Sequence, residues 1–231
     1  WRCATNLTMT SDQYGIIMAD LFRYHGLNMK DVEGIMISSV VPTINYTIEH
    51  MCHDYFGMDP RFLVPGIKTG LNIRYENPRE LGSDRIANAV AVANLYGGPA
   101  IFIDFGTATT YGVVSDKNEF MGGAIGAGLR MMNAALATGT AKLPSIELVV
   151  PPKVIGKTTI CNIQSGVLYG YIGSVEKILQ IFVHSLRHSL LCAAIFGVRV
   201  YRTVKRQPVR KKGKYHAGSY HRGFRPRNRG T

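Results

Sequence analysis

The segment that most restricts the fold is the acid-ended apolar run Ala100-Ile101-Phe102-Ile103-Asp104-Phe105. It follows Gly97-Gly98-Pro99, a triplet that no helix crosses easily. A short run of β-branched and aromatic residues bounded by Gly and Pro predicts a buried strand over 100–105. Residues 106–108 make a tight turn, and 109–115 read as a second strand. Asp116-Lys117-Asn118 supplies the next turn, so a meander opens here. The glycine-rich run Gly122-Gly123-Ala124-Ile125-Gly126-Ala127-Gly128 leads into a helix expected over 129–137, and another covers about 160–182.

Upstream, Thr10-Ser11-Asp12-Gln13 reads as a capping box, followed by Ile16, Ile17, Leu21 and Phe22 at helical spacing, with Gly26 as the stop. Residues 32–41 form a β-rich run ended by Pro42. A helix is expected over 44–56 with Gly57 after it, then a short strand over 61–64. Ser83 is placed as the N-cap of a helix carrying residues 86–95. Alternating strands and helices predict an α/β fold. The break at 97–99 is the expected domain boundary, giving units 1–96 and 97–198 and a tail 199–231.

Composition narrows the functional classes. The net charge of +12 lies wholly in the tail, because the twelve Lys and Arg after Val198 face no acid and the last acidic residue is Glu176. The neutral body therefore carries no electrostatic signature of a nucleic-acid binder. The tail, rich in Arg, Lys, Gly, Tyr and His, is expected to be disordered. No apolar run approaches the roughly 18 residues of a membrane span. Cys3, Cys52, Cys161 and Cys192 lie far apart without metal-ligand spacing, which suits free thiols in a reducing cytoplasm.

Three motifs can carry chemistry. In Asp104-Phe105-Gly106-Thr107-Ala108-Thr109-Thr110 an acid ends a buried strand, and Gly106 lets backbone approach a ligand. Such a turn suits a phosphate with an attached cation. A plain Asx turn is the other reading. The Asp-Phe-Gly triplet is not the protein-kinase one, since the His-Arg-Asp and Val-Ala-Ile-Lys companions are absent. Asp84 and Arg85 open a helix, where a carboxylate beside a guanidinium can take an alcohol proton while Arg orients the substrate; helix-start stabilisation explains Asp84 equally well. Gly156-Lys157-Thr158-Thr159 is not a P-loop, because Pro151 stands where the first glycine is required. It suits a helix cap or a substrate-hydroxyl site.

Taken together, Pro65-Gly66-Ile67-Lys68-Thr69-Gly70-Leu71, Asn77-Pro78-Arg79-Glu80-Leu81-Gly82-Ser83-Asp84-Arg85-Ile86-Ala87-Asn88-Ala89, the Asp104 to Thr110 motif, Gly122-Gly123-Ala124-Ile125 and Gln164-Ser165-Gly166 resemble type III pantothenate kinase in order and spacing, over roughly residues 1–180. The resemblance implies the actin/sugar-kinase/Hsp70-like architecture of two ribonuclease-H-like domains around a cleft. It implies transfer of the γ-phosphoryl of ATP to pantothenate, the first step of coenzyme A synthesis, in a cytoplasmic homodimer using magnesium with ATP and a monovalent cation, potassium or ammonium. Carried over, Asp84 is the proton acceptor, and Gly82, Ser83 and Arg85 line the substrate pocket. Tyr75 and Thr159 contact pantothenate, Asp104 binds the monovalent cation, and Thr107 touches ATP.

The sequence departs from that family in four places. The family's opening Asp-x-Gly-Asn-Thr turn has no counterpart from Trp1 onward, so the first hairpin of domain one is expected to be missing. The family's Thr-Gly-Gly turn has none after about residue 182, where the basic sequence reads as an out-of-frame end or a divergent one. Ser83 stands for a usual Ala, and Gly112 for a usual Asp. The alternative is a non-catalytic fragment, or a Bvg accessory factor-like regulator whose basic tail binds nucleic acid. No membrane partner is expected, and no nucleic-acid contact beyond non-specific binding by the tail.

Overall fold

The computed structural model describes residues 1–186 and 191–195. The tail 199–231 and its expected disorder lie outside the described residues.

The chain opens with α1 (Ser11–Tyr24). Its capping box forms as the sequence predicts: the Gln13 amide donates to Thr10 Oγ1 at 3.3 Å, and the Thr10 amide to Gln13 Oε1 at 2.9 Å. Next come β1 (Met36–Ile37), α2 (Asn45–Phe56) and β2 (Arg61–Phe62). The two strands pair in parallel, which the crossover through α2 makes possible. Tyr14, Met51 and Cys52 are buried between α1 and α2. Gly57 ends α2 in the left-handed conformation, at φ 68°.

The β-rich run 32–41 contributes only β1 to a sheet. Met29–Asp31 is a 3-10 turn held by the Asn28 side chain, which accepts from the Lys30 amide. Beyond β1 the Ser39 hydroxyl accepts from the Val41 amide at 3.2 Å, so a side chain takes the place of a ladder partner.

A five-stranded mixed sheet dominates the remainder. Its strands are β3 (Asn72–Ile73), β4 (Ala100–Phe105), β5 (Ala108–Val114), β6 (Glu119–Ala127) and β7 (Leu191–Ile195), in the order β3-β6-β5-β4-β7. β4, β5 and β6 are the antiparallel meander foreseen from the sequence; β3 joins β6 and β7 joins β4 in parallel. The glycine-rich run is itself strand, because its glycines lie against β5: a Cβ at Gly123 would stand 1.8 Å from the Tyr111 carbonyl oxygen.

Helices cover this sheet. α3 (Ser83–Leu95) packs on one face, burying Ile86, Ala89 and Val92 against Phe102, Val114 and Phe120. On the other face Ile101 and Val113 meet Leu179, Phe182 and Leu186 of α5 (Thr159–Leu186). Between them in sequence, α4 (Leu129–Gly139) follows β6 and buries none of its residues. Strand alternation sorts β4 accordingly: Ala100 and Phe102 point to α3, Ile101 to α5. Among the described residues no helix is long and apolar enough to cross a membrane.

Gly112 receives a packing explanation here. It lies opposite Phe102 in the β4–β5 register, and a Cβ at that position would stand 2.1 Å from the end of the Phe102 ring. The fully buried ring occupies the space a side chain would need.

Candidate active site

The start of α3 is tied to the loop after β1. Gly82, not Ser83, is the N-cap, and it makes no side-chain capping bond. Ser83 is the first helical residue, and its hydroxyl donates to the Ser39 carbonyl at 2.9 Å while accepting from Ser38 Oγ at 3.1 Å. Two distant segments offer Ser83 partners, and these outcompete the local cap. A Cβ on Gly82 would lie 2.4 Å from an Asp84 carboxylate oxygen, so a side chain there would displace that carboxylate. Asp84 is half-buried in the first turn of α3, where the helix dipole favours its charge.

Arg85 turns away from Asp84 into the sheet and is 6% exposed. Its guanidinium carbon lies 5.5 Å from the Phe120 ring centre and 5.9 Å from that of Tyr75. Nη2 donates to the Tyr111 carbonyl at 3.3 Å, while buried Nε has no hydrogen-bond partner among the described residues. Arg85 makes no ion pair among the described residues. A buried guanidinium keeps its charge, so ring faces and one carbonyl offset only part of its lost hydration.

Asp104 is half-buried at the end of β4 and points to α3. Its Oδ2 accepts from Asn88 Nδ2 at 3.2 Å. Its Oδ1 faces the turn: a Cβ on Gly106 would lie 3.9 Å from it. Across the ladder Asp104 pairs with Thr110, whose buried Oγ1 has no hydrogen-bond partner among the described residues. A carboxylate and an orphaned hydroxyl oxygen on one face of a hairpin are hard-oxygen donors, the type that a hard cation takes.

Thr107 sits at the exposed tip of the β4–β5 turn and lines a cavity of about 860 Å³ with Phe105, Arg130 and Tyr171. The first turn of α4 forms one wall. Gly128 brings it there: its amide donates to the Thr107 carbonyl at 3.0 Å, and a Cβ would stand 2.3 Å from that oxygen. Tyr171 Oη and Thr109 Oγ1, 2.5 Å apart, fasten α5 beside the turn. Thr158 caps α5 by accepting from the Cys161 amide at 3.2 Å. Thr159, the first residue of α5, lines a separate and largely apolar cavity of about 780 Å³ between α4 and α5.

The structure thus joins some of the sequence-selected residues and separates others. Tyr75 and Arg85 touch; Gly82, Ser83 and Asp84 are consecutive on α3; and Asp104 reaches the same helix through Asn88. No hydrogen bond or ring contact links Thr159 to that group among the described residues. Asn88, Ser38, Ser39 and Tyr171 are additions from the structure. Only Asn88 had a usable sequence signal, standing four residues after Asp84 and hence on the same helix face.

Among solved structures, a Campylobacter jejuni protein whose description names the Baf family of transcriptional activators aligns with 68% of this chain and 68% of its own at 18% identity, with a TM-score of 0.42. The type III pantothenate kinase family profile matches residues 1–181. That match spans most of the sequence, and the chain belongs to the type III pantothenate kinase family.

Proposed function

We propose that this chain transfers the γ-phosphoryl group of ATP to the primary hydroxyl of pantothenate, giving 4'-phosphopantothenate, within two ribonuclease-H-like domains around a cleft. The topology in support is the β4–β5–β6 meander with β7 added in parallel on its β4 edge. The observation that carries the reading is Arg85, a buried cation with an unpartnered Nε beside Tyr75, one residue after Asp84. Pantothenate is a carboxylate with a hydroxyl at its far end. Its carboxylate supplies the anion Arg85 lacks, and Tyr75 flanks the chain between.

Asp84 then accepts the hydroxyl proton as that oxygen forms its bond to the γ-phosphorus and the bond from phosphorus to the departing ADP oxygen breaks. Thr107 and the amides at the start of α4 face the phosphates in the cavity they line, where a helix N-terminus favours anions. Magnesium enters with ATP. Asp104 and Thr110 would hold the monovalent cation, which when bound supplies positive charge against the phosphates. The resemblance also assigns Thr159 to pantothenate, but within one chain Thr159 lines the separate cavity beside α4, whose apolar wall supports a homodimer.

The test is phosphorylation of pantothenate by the full chain with magnesium-ATP and potassium, followed by mass spectrometry. Arg85→Gln is expected to raise the pantothenate KM at least tenfold and leave the ATP KM within about twofold, in line with loss of a charge-assisted hydrogen bond. Absence of phosphorylated product from the wild-type chain would refute the proposal, and an unchanged pantothenate KM would remove Arg85 from it.

A further inference from the structure

We propose that Asn88 is a positioning residue that holds the Asp104 carboxylate for the monovalent cation; this rests on the reading of Asp104 as the cation ligand. Asp104 is the one charged residue in an otherwise apolar strand, and it points toward the α3 layer, whose packing buries Ile86, Ala89 and Val92. Left alone, its carboxylate would rotate toward water. Asn88 prevents this by donating from Nδ2 to Oδ2 at 3.2 Å. An ionised carboxylate only accepts hydrogen bonds, so the Asn88 amide must present its NH2 side. The other oxygen, Oδ1, is thereby aimed at the Gly106 turn, on the face that Thr110 shares.

The choice of a neutral donor matters. Lys or Arg at position 88 would pair with Asp104 and occupy the charge a cation needs. An amide orients the carboxylate without neutralising it, and Asp104 forms no ion pair among the described residues. Asn88 also lies four residues after Asp84, one turn along the same face of α3. One rigid helix therefore carries the proposed base at its start and, a turn later, the clamp on the proposed cation ligand. The geometry of the two carboxylates is set by α3 and not by the mobility of either side chain.

The experiment is thermal unfolding of the full chain, titrated with potassium chloride at constant ionic strength made up with choline chloride. A ligand that binds only the folded state raises the midpoint saturably, so the titration reads cation affinity without catalysis. Wild type is expected to respond and Asp104→Ala to lose the response. Asn88→Ala and the near-isosteric Asn88→Leu are expected to need at least fivefold more potassium for half the response. Leu preserves the packed volume if the smaller side chain fails to fold. A variant that lowers the choline-only midpoint yet keeps the wild-type potassium response makes Asn88 merely structural and overturns the proposal. A wild type without any potassium response, or a response that survives Asp104→Ala, overturns the Asp104 reading and this proposal with it.

Discussion

At position 84 the proposed chemistry turns on a single oxygen. Asp84 is half-buried in the first turn of α3, and the side chain of its neighbour Arg85 packs into the core instead. Among the described residues Asp84 is in no ion pair, which in this proposal leaves it able to take a proton from a bound alcohol. Replacing it with Asn keeps shape and polarity but removes the basic site. Asp84→Asn is expected to lower kcat by roughly a hundredfold or more while pantothenate affinity moves far less. Steady-state kinetics beside isothermal titration separates the two, and retained turnover would remove Asp84 from the role. The sequence marked Asp84 and Arg85 as a pair because they are adjacent. Successive helical positions lie about 100° apart, however, so adjacency sends one side chain outward and the other onto the sheet. Only the packing of α3 decides which goes where.

At the scale of the element, the β4–β5 hairpin was legible almost residue for residue, since an apolar run between a Gly-Pro break and a Gly-Thr turn has few alternatives. Gly112 was not legible, because its reason is the Phe102 ring on the neighbouring strand. Gly112→Ala is expected to destabilise the protein by about 1–3 kcal/mol through overpacking. In a Phe102→Leu background the same substitution should cost clearly less, as a double-mutant cycle by urea denaturation would read. The other strand face gives a pH prediction. Burial pushes the Tyr111 hydroxyl above its ordinary value of 10.0, the nearby Tyr171 adds to this, and a bond with Ser174 works the other way. A raised folded-state value means the folded protein holds its proton longer than the unfolded chain does. The contribution is complete below about pH 10 and is lost as pH rises through the folded value. Urea midpoints are therefore expected to fall between pH 9 and pH 11, and Tyr111→Phe should flatten that fall.

For the molecule as a whole, α4 poses the main question. It buries none of its residues, yet Met131, Met132, Ala135 and Leu136 line an apolar cavity facing α5. A second copy of this chain would cover that surface, as the proposed homodimer requires. Light scattering is expected to give twice 25.5 kDa at micromolar concentration, and Leu136→Asp to shift the mass toward one chain. A monomeric wild type would remove the dimer from the proposal. The sequence by itself determined the α/β alternation, the capping box of α1, the meander and the acid at its turn, all of which follow from periodicity, caps and turn chemistry within about twenty residues. Tertiary structure alone decided the rest. β3 pairs with β6 and α3 packs on β4 to β6, so residues on both sides of the Gly97–Pro99 break share one core. Ser83 serves a distant loop instead of its own helix, Arg85 is buried without a counter-charge among the described residues, and Asn88 donates a hydrogen bond to Asp104. Each of these depends on which surfaces meet, and a linear pattern records the period of a side chain but not the partner it finds.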